Sequence, residues 1–150
     1  MRVSVLAILA AAVFVALGSL GFVPSVTRHH DQLHAWKTGS RAQLFGVFQV
    51  SILLNAVHLG FGLLGLAASR TPVGVRLYLL CGSVGYFALA LYGVSVQHRP
   101  EANVLPVDRA DNWLHAAFGL SLLVLAWIAA HLHEQHLVQE RGGTASWPLA

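Results

Sequence analysis

Charge is what this sequence has least of. Only 10% of its 150 residues are Asp, Glu, Lys or Arg, against roughly 25% in an ordinary soluble domain. The net charge of +3 is scattered through connecting segments and forms no Lys/Arg block, which leaves binding to nucleic acid without support. Cysteine is nearly absent. Cys81 stands alone inside an apolar run, which excludes an intramolecular disulfide framework and a cysteine-based metal site. There is no Ser/His/Asp set, no glycine-rich phosphate loop and no Cys/His pair at catalytic spacing, so enzymatic activity has little support.

What fills the chain instead is apolar sequence, 56% of it. Four long runs stand out, at about Val3–Val23, Leu44–Ala68, Leu77–Val96 and Trp113–Ala130. Each approaches or exceeds the roughly 18–20 helical residues that cross a ~30 Å hydrocarbon core. The pattern predicts an all-α fold, a four-helix transmembrane bundle forming one domain over residues 1–141, with residues 142–150 as a flexible tail.

Met1-Arg2 before an apolar core resembles a signal peptide. The run nevertheless passes the small-residue stretch Ala16-Leu17-Gly18 and reaches Val23 before Pro24 stops it, so a retained helix is expected. Ala10, Ala11, Phe14, Gly18 and Gly21 give that helix a side suited to close packing. The next connection holds His29, His30, Asp31 and His34. In a helix His30 and His34 would share a face and suit a metal, but a solvated loop with an interfacial Trp36 is the expected state. Ser40-Arg-Ala-Gln43 reads as a capping box, from which a second helix would run to about Arg70. His131, His133 and His136 mark a solvated helix end.

One motif occurs twice. Asn55-Ala-Val-His58-Leu-Gly-Phe61-Gly62 returns as Asn112-Trp-Leu-His115-Ala-Ala-Phe118-Gly119. Asn and His three apart lie on one helical face, with Gly one turn on. Polar side chains in an apolar span turn toward the bundle interior. Aligning the copies sets Ser51 opposite Asp108 and Val50 opposite Val107. Asp108 is the expected cap of the fourth helix, with Asp111 near the positive end of its dipole. The predicted polar cluster is therefore Ser51, Asn55, His58, Asp108, Asp111, Asn112 and His115.

Since two crossings restore the starting side, the copies imply two parallel helix-pair repeats about an axis along the membrane normal. His58 and His115 should then approach one another between helices two and four, where Gly62 and Gly119 favour a close crossing. Both termini lie on one side. Arg2, Arg70, Arg76 and Arg141 on that side nearly balance Arg28, Lys37, Arg41, Arg99 and Arg109 on the other. The Met-Arg start and the purely basic central link favour cytoplasmic termini.

The stretch Leu44 to Gly65, with Asn55 and His58, together with Leu105-Pro-Val-Asp108-Arg-Ala-Asp111-Asn112-Trp-Leu-His115, resembles an uncharacterised bacterial four-helix membrane family catalogued as a domain of unknown function. Gly21-Phe-Val-Pro24 carries the same resemblance, which covers roughly residues 15–130. Members often carry a second His directly before the first Asn, where this chain has Leu54. The resemblance implies the fold and no activity.

The reading most in keeping with these residues is a structural or partner-binding membrane module, held by interhelical polar contacts and working with the bilayer, a membrane partner or another copy. An alternative makes His58 and His115 the axial ligands of a b-type haem, or ligands of a metal ion, with Gly62 and Gly119 leaving room for the macrocycle. A second alternative is transport of a small molecule or proton. It would depend on the two histidines, because no acidic residue lies centrally in a span.

Overall fold

A computed structural model describes residues 3–36 and 40–143. Among these, four α-helices follow one another: α1 Val3–Leu20, α2 Ile52–Ala68, α3 Pro72–Val96 and α4 Arg109–Gly143. Three of them, α1, α3 and α4 as far as Glu140, are long and apolar enough to cross a membrane, and α2 is a shorter apolar helix. α1 packs most extensively on α2, and α3 on α4, with lighter contacts joining the pairs. The core along these interfaces includes Ala7, Phe14, Leu79, Tyr86, Leu122 and Ala129. The small-residue side of α1 is buried at Ala7, Ala10, Ala11 and Gly18. A side chain at Gly18 would strike the backbone of Asn55 and Leu59, so α1 and α2 touch main chain to main chain there.

The segment before α2 departs from expectation. No helix starts at Ser40. Instead β1 (Thr27–Arg28), β2 (Gln43–Leu44) and β3 (Phe48–Gln49) form an antiparallel sheet in the order β1-β2-β3. The cause is local. Phe45 and Gly46 both adopt left-handed backbone angles, φ 54° and 71°, which reverse the chain into a tight hairpin. Of the two residues expected to form a capping box, Gln43 pairs within β2 and Ser40 is bonded through both its hydroxyl and its carbonyl. The Ser40 hydroxyl donates to the Val50 carbonyl at 2.5 Å, and the Gln49 amide donates to the Ser40 carbonyl at 2.6 Å. Ala42, Leu44 and Val50 are buried beneath the sheet against Leu17, Leu20 and Val26.

Helix α2 begins instead behind Ser51, whose hydroxyl accepts from the Leu54 N–H at 3.1 Å. Its first two N–H groups, of Ile52 and Leu53, donate to the carbonyls of His34 and Ala35 at 3.0 and 3.1 Å. The His-rich connection is therefore fastened down by its backbone, satisfying donors that a helix start leaves open. Its side chains do not share a helical face: His29 is left-handed and His30–Gln32 forms a single 3-10 turn. Among the described residues no group of three or more His, Cys, Asp or Glu is placed to hold a metal ion.

The remaining helix starts follow side-chain chemistry. Thr71 caps α3 by accepting from the Gly74 N–H at 3.0 Å, with Pro72 at the first helical position. This shortens the central link to Ser69–Thr71. Asp108 caps α4, as described below. The helix continues past His131, His133 and His136 to Gly143, and the remainder of the expected tail, residues 144–150, lies outside the described residues.

Candidate functional site

The two Asn-x-x-His segments occupy matching positions, each built from a helix start downward. At the head of α4, one carboxylate oxygen of Asp108 accepts from the N–H groups of Ala110 and Asp111 at 2.7 and 3.0 Å. The Asp111 carboxylate returns the favour, accepting from the Asp108 N–H at 2.8 Å. This reciprocal cap uses an Asp where a Glu or Gln is usual. Ser51 does the same work for α2 with a single hydroxyl. Val50 and Val107, one residue upstream of each cap, are both buried.

One turn inside, each Asn lies against a glycine of the neighbouring helix region. A Cβ at Gly21 would overlap the Asn55 amide, and a Cβ at Gly93 would overlap that of Asn112. Only hydrogen at these positions lets a branched amide sit so close to the facing backbone. Asn55 and Asn112 are 2% and 7% exposed. The Asn55 amide nitrogen and the Asn112 amide oxygen have no hydrogen-bond partner among the described residues.

Below them the histidines meet. The rings of His58 and His115 lie 5.9 Å apart with planes inclined by 24°. Tyr86 of α3 completes a triangle, 5.8 Å from His58 and 5.9 Å from His115. Phe14 of α1 stacks on Tyr86 at 4.8 Å. Phe61 and Phe118, one turn beyond each histidine, both meet the Phe14 ring at 5.0 Å and edge-on to it. They also flank Tyr86 at 5.4 and 5.5 Å. Edge-to-face and offset contacts of this kind are the favoured aromatic geometries. All four helices thus contribute a ring to one centre.

The hydrogen bonding here assigns a tautomer. His58 Nδ1 lies 2.8 Å from the Leu54 carbonyl, which can only accept, so Nδ1 carries the proton and Nε2 of the neutral ring holds a lone pair. His58 Nε2, His115 Nδ1 and the hydroxyls of Tyr78 and Tyr86 are buried without hydrogen-bond partners among the described residues. In contrast, the buried Ser83 hydroxyl of α3 donates to the Gly119 carbonyl of α4 at 2.8 Å.

Gly62 and Gly119 serve a different contact from the one expected. Gly62 abuts Ala11 and Val15 of α1, and Gly119 the Phe87 ring of α3, so they close each helix pair internally and not the α2–α4 crossing. They therefore open no space for a macrocycle, and the Phe14 and Tyr86 rings pack directly against the histidines. Haem does not fit this packing.

Phe14, Tyr86, Gly21 and Gly93 escape a reading based on the repeated motif alone. A signal for them exists: Phe14 to Tyr86 and Gly21 to Gly93 span the same number of residues. That spacing differs from the one relating His58 to His115, because the α1–α2 connection is longer than the α3–α4 connection.

The family described as a domain of unknown function (DUF4383) matches residues 4–128, which include all of these positions. No curated protein and no solved structure matches the chain.

Proposed function

The chain belongs to this family of unknown function, and from that premise we propose that it is an integral membrane module in which two parallel helix pairs dock through a buried Asn/His/aromatic centre. The role is structural or partner-binding. The membrane is a bacterial plasma membrane, with the termini on the cytoplasmic side. The observation that carries this reading is the convergence of His58, His115 and Tyr86 within 5.8–5.9 Å of one another, under a Phe14 ring from the remaining helix. Such a centre fixes the register of one pair against the other, and its matched caps and glycine notches support a pseudo-twofold repeat. Aromatic ring contacts contribute about 0.5–1.5 kcal/mol each beyond the area they bury, enough to select one docking among alternatives of similar apolar packing.

The test is substitution at both histidines in the detergent-purified protein. As glue, His58→Gln should retain more thermal stability than His58→Leu, because the amide keeps a hydrogen bond to the Leu54 carbonyl. His115→Gln should cost about as much as His115→Leu, because the His115 Nδ1 has no hydrogen-bond partner among the described residues. Equal loss for His58→Gln and His58→Leu argues against the glue reading. A metal ion is the second reading, favoured by the unpartnered ring nitrogens His58 Nε2 and His115 Nδ1 on two rings 5.9 Å apart. Metal analysis of the purified wild type separates the two: stoichiometric metal lost in both Gln variants would replace the structural role by a ligand role.

A further inference from the structure

Away from the buried centre, the outer seam of α3 and α4 holds two grooves that share no residue. One, of about 440 Å³, is walled by Leu80 of α3 and by Leu123, Trp127 and Ala130 of α4, with Arg76 among its lining. The other, of about 340 Å³, is walled by Leu91 and Val94 of α3 and by Trp113 and Ala116 of α4, with Arg109 among its lining. Neither wall includes a carboxylate. The groove residues pair early α3 with late α4 and late α3 with early α4, so the two helices run antiparallel. Arg76, about one turn into α3, and Arg109, the first residue of α4, consequently mark opposite ends of the seam. Leu80, Leu91, Trp113 and Trp127 are all exposed. The link leading into α3, Ser69–Thr71, adds Arg70 and contains no acid.

An apolar trough with one guanidinium toward its outer end suits an amphiphile with an anionic head and a hydrocarbon tail. Arginine in this position extends its stem along the apolar wall and its charge to the interface. A docked helix from a partner would favour one continuous trough and would have to cover both cations. Two short grooves with charges at opposite ends instead match the two leaflets. We propose that the outer α3–α4 seam binds anionic phospholipid, one molecule from each leaflet, with the phosphate on Arg76 or Arg109 and an acyl chain in the adjoining groove. The proposal rests on the membrane reading above.

Native mass spectrometry of the full chain, with phosphatidylglycerol and phosphatidylcholine of identical chains, tests it at the larger groove. The anionic lipid should be retained preferentially. Arg76→Gln should weaken its retention about fivefold, the effect of one cation at a membrane surface, and leave phosphatidylcholine unchanged, while Arg76→Lys keeps most of the preference. Ala130→Phe, which fills the trough, should reduce both lipids. Equal retention of the two lipids by the wild type, or an Arg76→Gln variant that behaves like it, overturns the proposal. Oxidative cross-linking at Cys81, exposed on α3, covers the rival occupant: a Cys81-linked dimer that excludes lipid would assign the seam to a second copy and overturn it too. Alkaline extraction of expressing membranes reports separately on the premise. A chain that stays in the membrane but shows no lipid preference defeats the lipid site alone, and a chain released by alkali defeats the membrane reading.

Discussion

The first helix pair and the second present the same chemistry on unequal frames. In each, a side-chain oxygen caps the second helix, a buried Asn packs against a glycine across the pair, and a His enters the shared centre followed by a Phe. The frames differ around that constant. The first pair is joined through a three-stranded sheet and has a second helix of 17 residues, while the second pair is joined by a loop and ends in a helix of 35. Ala11 in α1 stands where α3 has Ser83, whose hydroxyl bonds the Gly119 carbonyl. What is common to both pairs is the geometry at the centre. Connection and helix length differ outside it.

The largest effect that can break this equivalence lies in the glycine notches. Gly21→Ala and Gly93→Ala should each cost about 1–3 kcal/mol through overpacking against an Asn amide, read as lowered thermal stability in detergent. Gly60→Ala and Gly85→Ala meet nothing within 4 Å of the added carbon and should be neutral or stabilising, by up to about 1 kcal/mol of helix propensity. If Gly21→Ala behaves like Gly85→Ala while Gly93→Ala does not, the two notches are not equivalent.

A smaller contrast concerns the caps. Asp108→Ala should cost roughly 0.5–2 kcal/mol and Ser51→Ala should fall at the low end of that range, because Asp108 receives two N–H groups and is itself held by Asp111. Asp108→Asn and Asp108→Ser should be milder than Asp108→Ala in denaturant titrations. Equal losses for all three would mean that the carboxylate serves something beyond capping. Smallest of all, Ser83→Ala should cost about 0.6 kcal/mol, making α3 resemble α1 at that position. A loss well above 2 kcal/mol would show that the hydroxyl organises more than one bond.

These contrasts follow the line between what the sequence displays and what only packing reveals. Four apolar helices are legible from run lengths, and the Asn/His faces from helical spacing, since Asn55, His58, Asn112 and His115 are all buried. The Asp108 cap is legible from the turn chemistry before it. The hairpin is not, because Phe45 in a left-handed conformation carries no sequence signal of its own, and Ser40 with Gln43 imitates a helix start. Tyr86 and Phe14 are hidden for another reason. An aromatic residue inside an apolar run looks like any other core residue until a neighbouring helix brings a histidine to it. Gly62 and Gly119 were legible as close contacts but not as to which helix they touch, since spacing along one helix says nothing about the order of its neighbours.

The shortness of α2 has a consequence for the membrane itself. Seventeen residues rise only about 26 Å, whereas the twenty-five of α3 rise about 38 Å. Placed in a hydrocarbon layer of ~30 Å, the molecule is too short on one flank and too tall on the other. Lipid beside the exposed Leu53, Val57, Leu63 and Leu64 of α2 must compress, and lipid beside α3 must stretch unless that helix tilts, at fractions of a kcal/mol per ångström. On the membrane reading proposed above, this hydrophobic mismatch makes the protein sensitive to bilayer thickness.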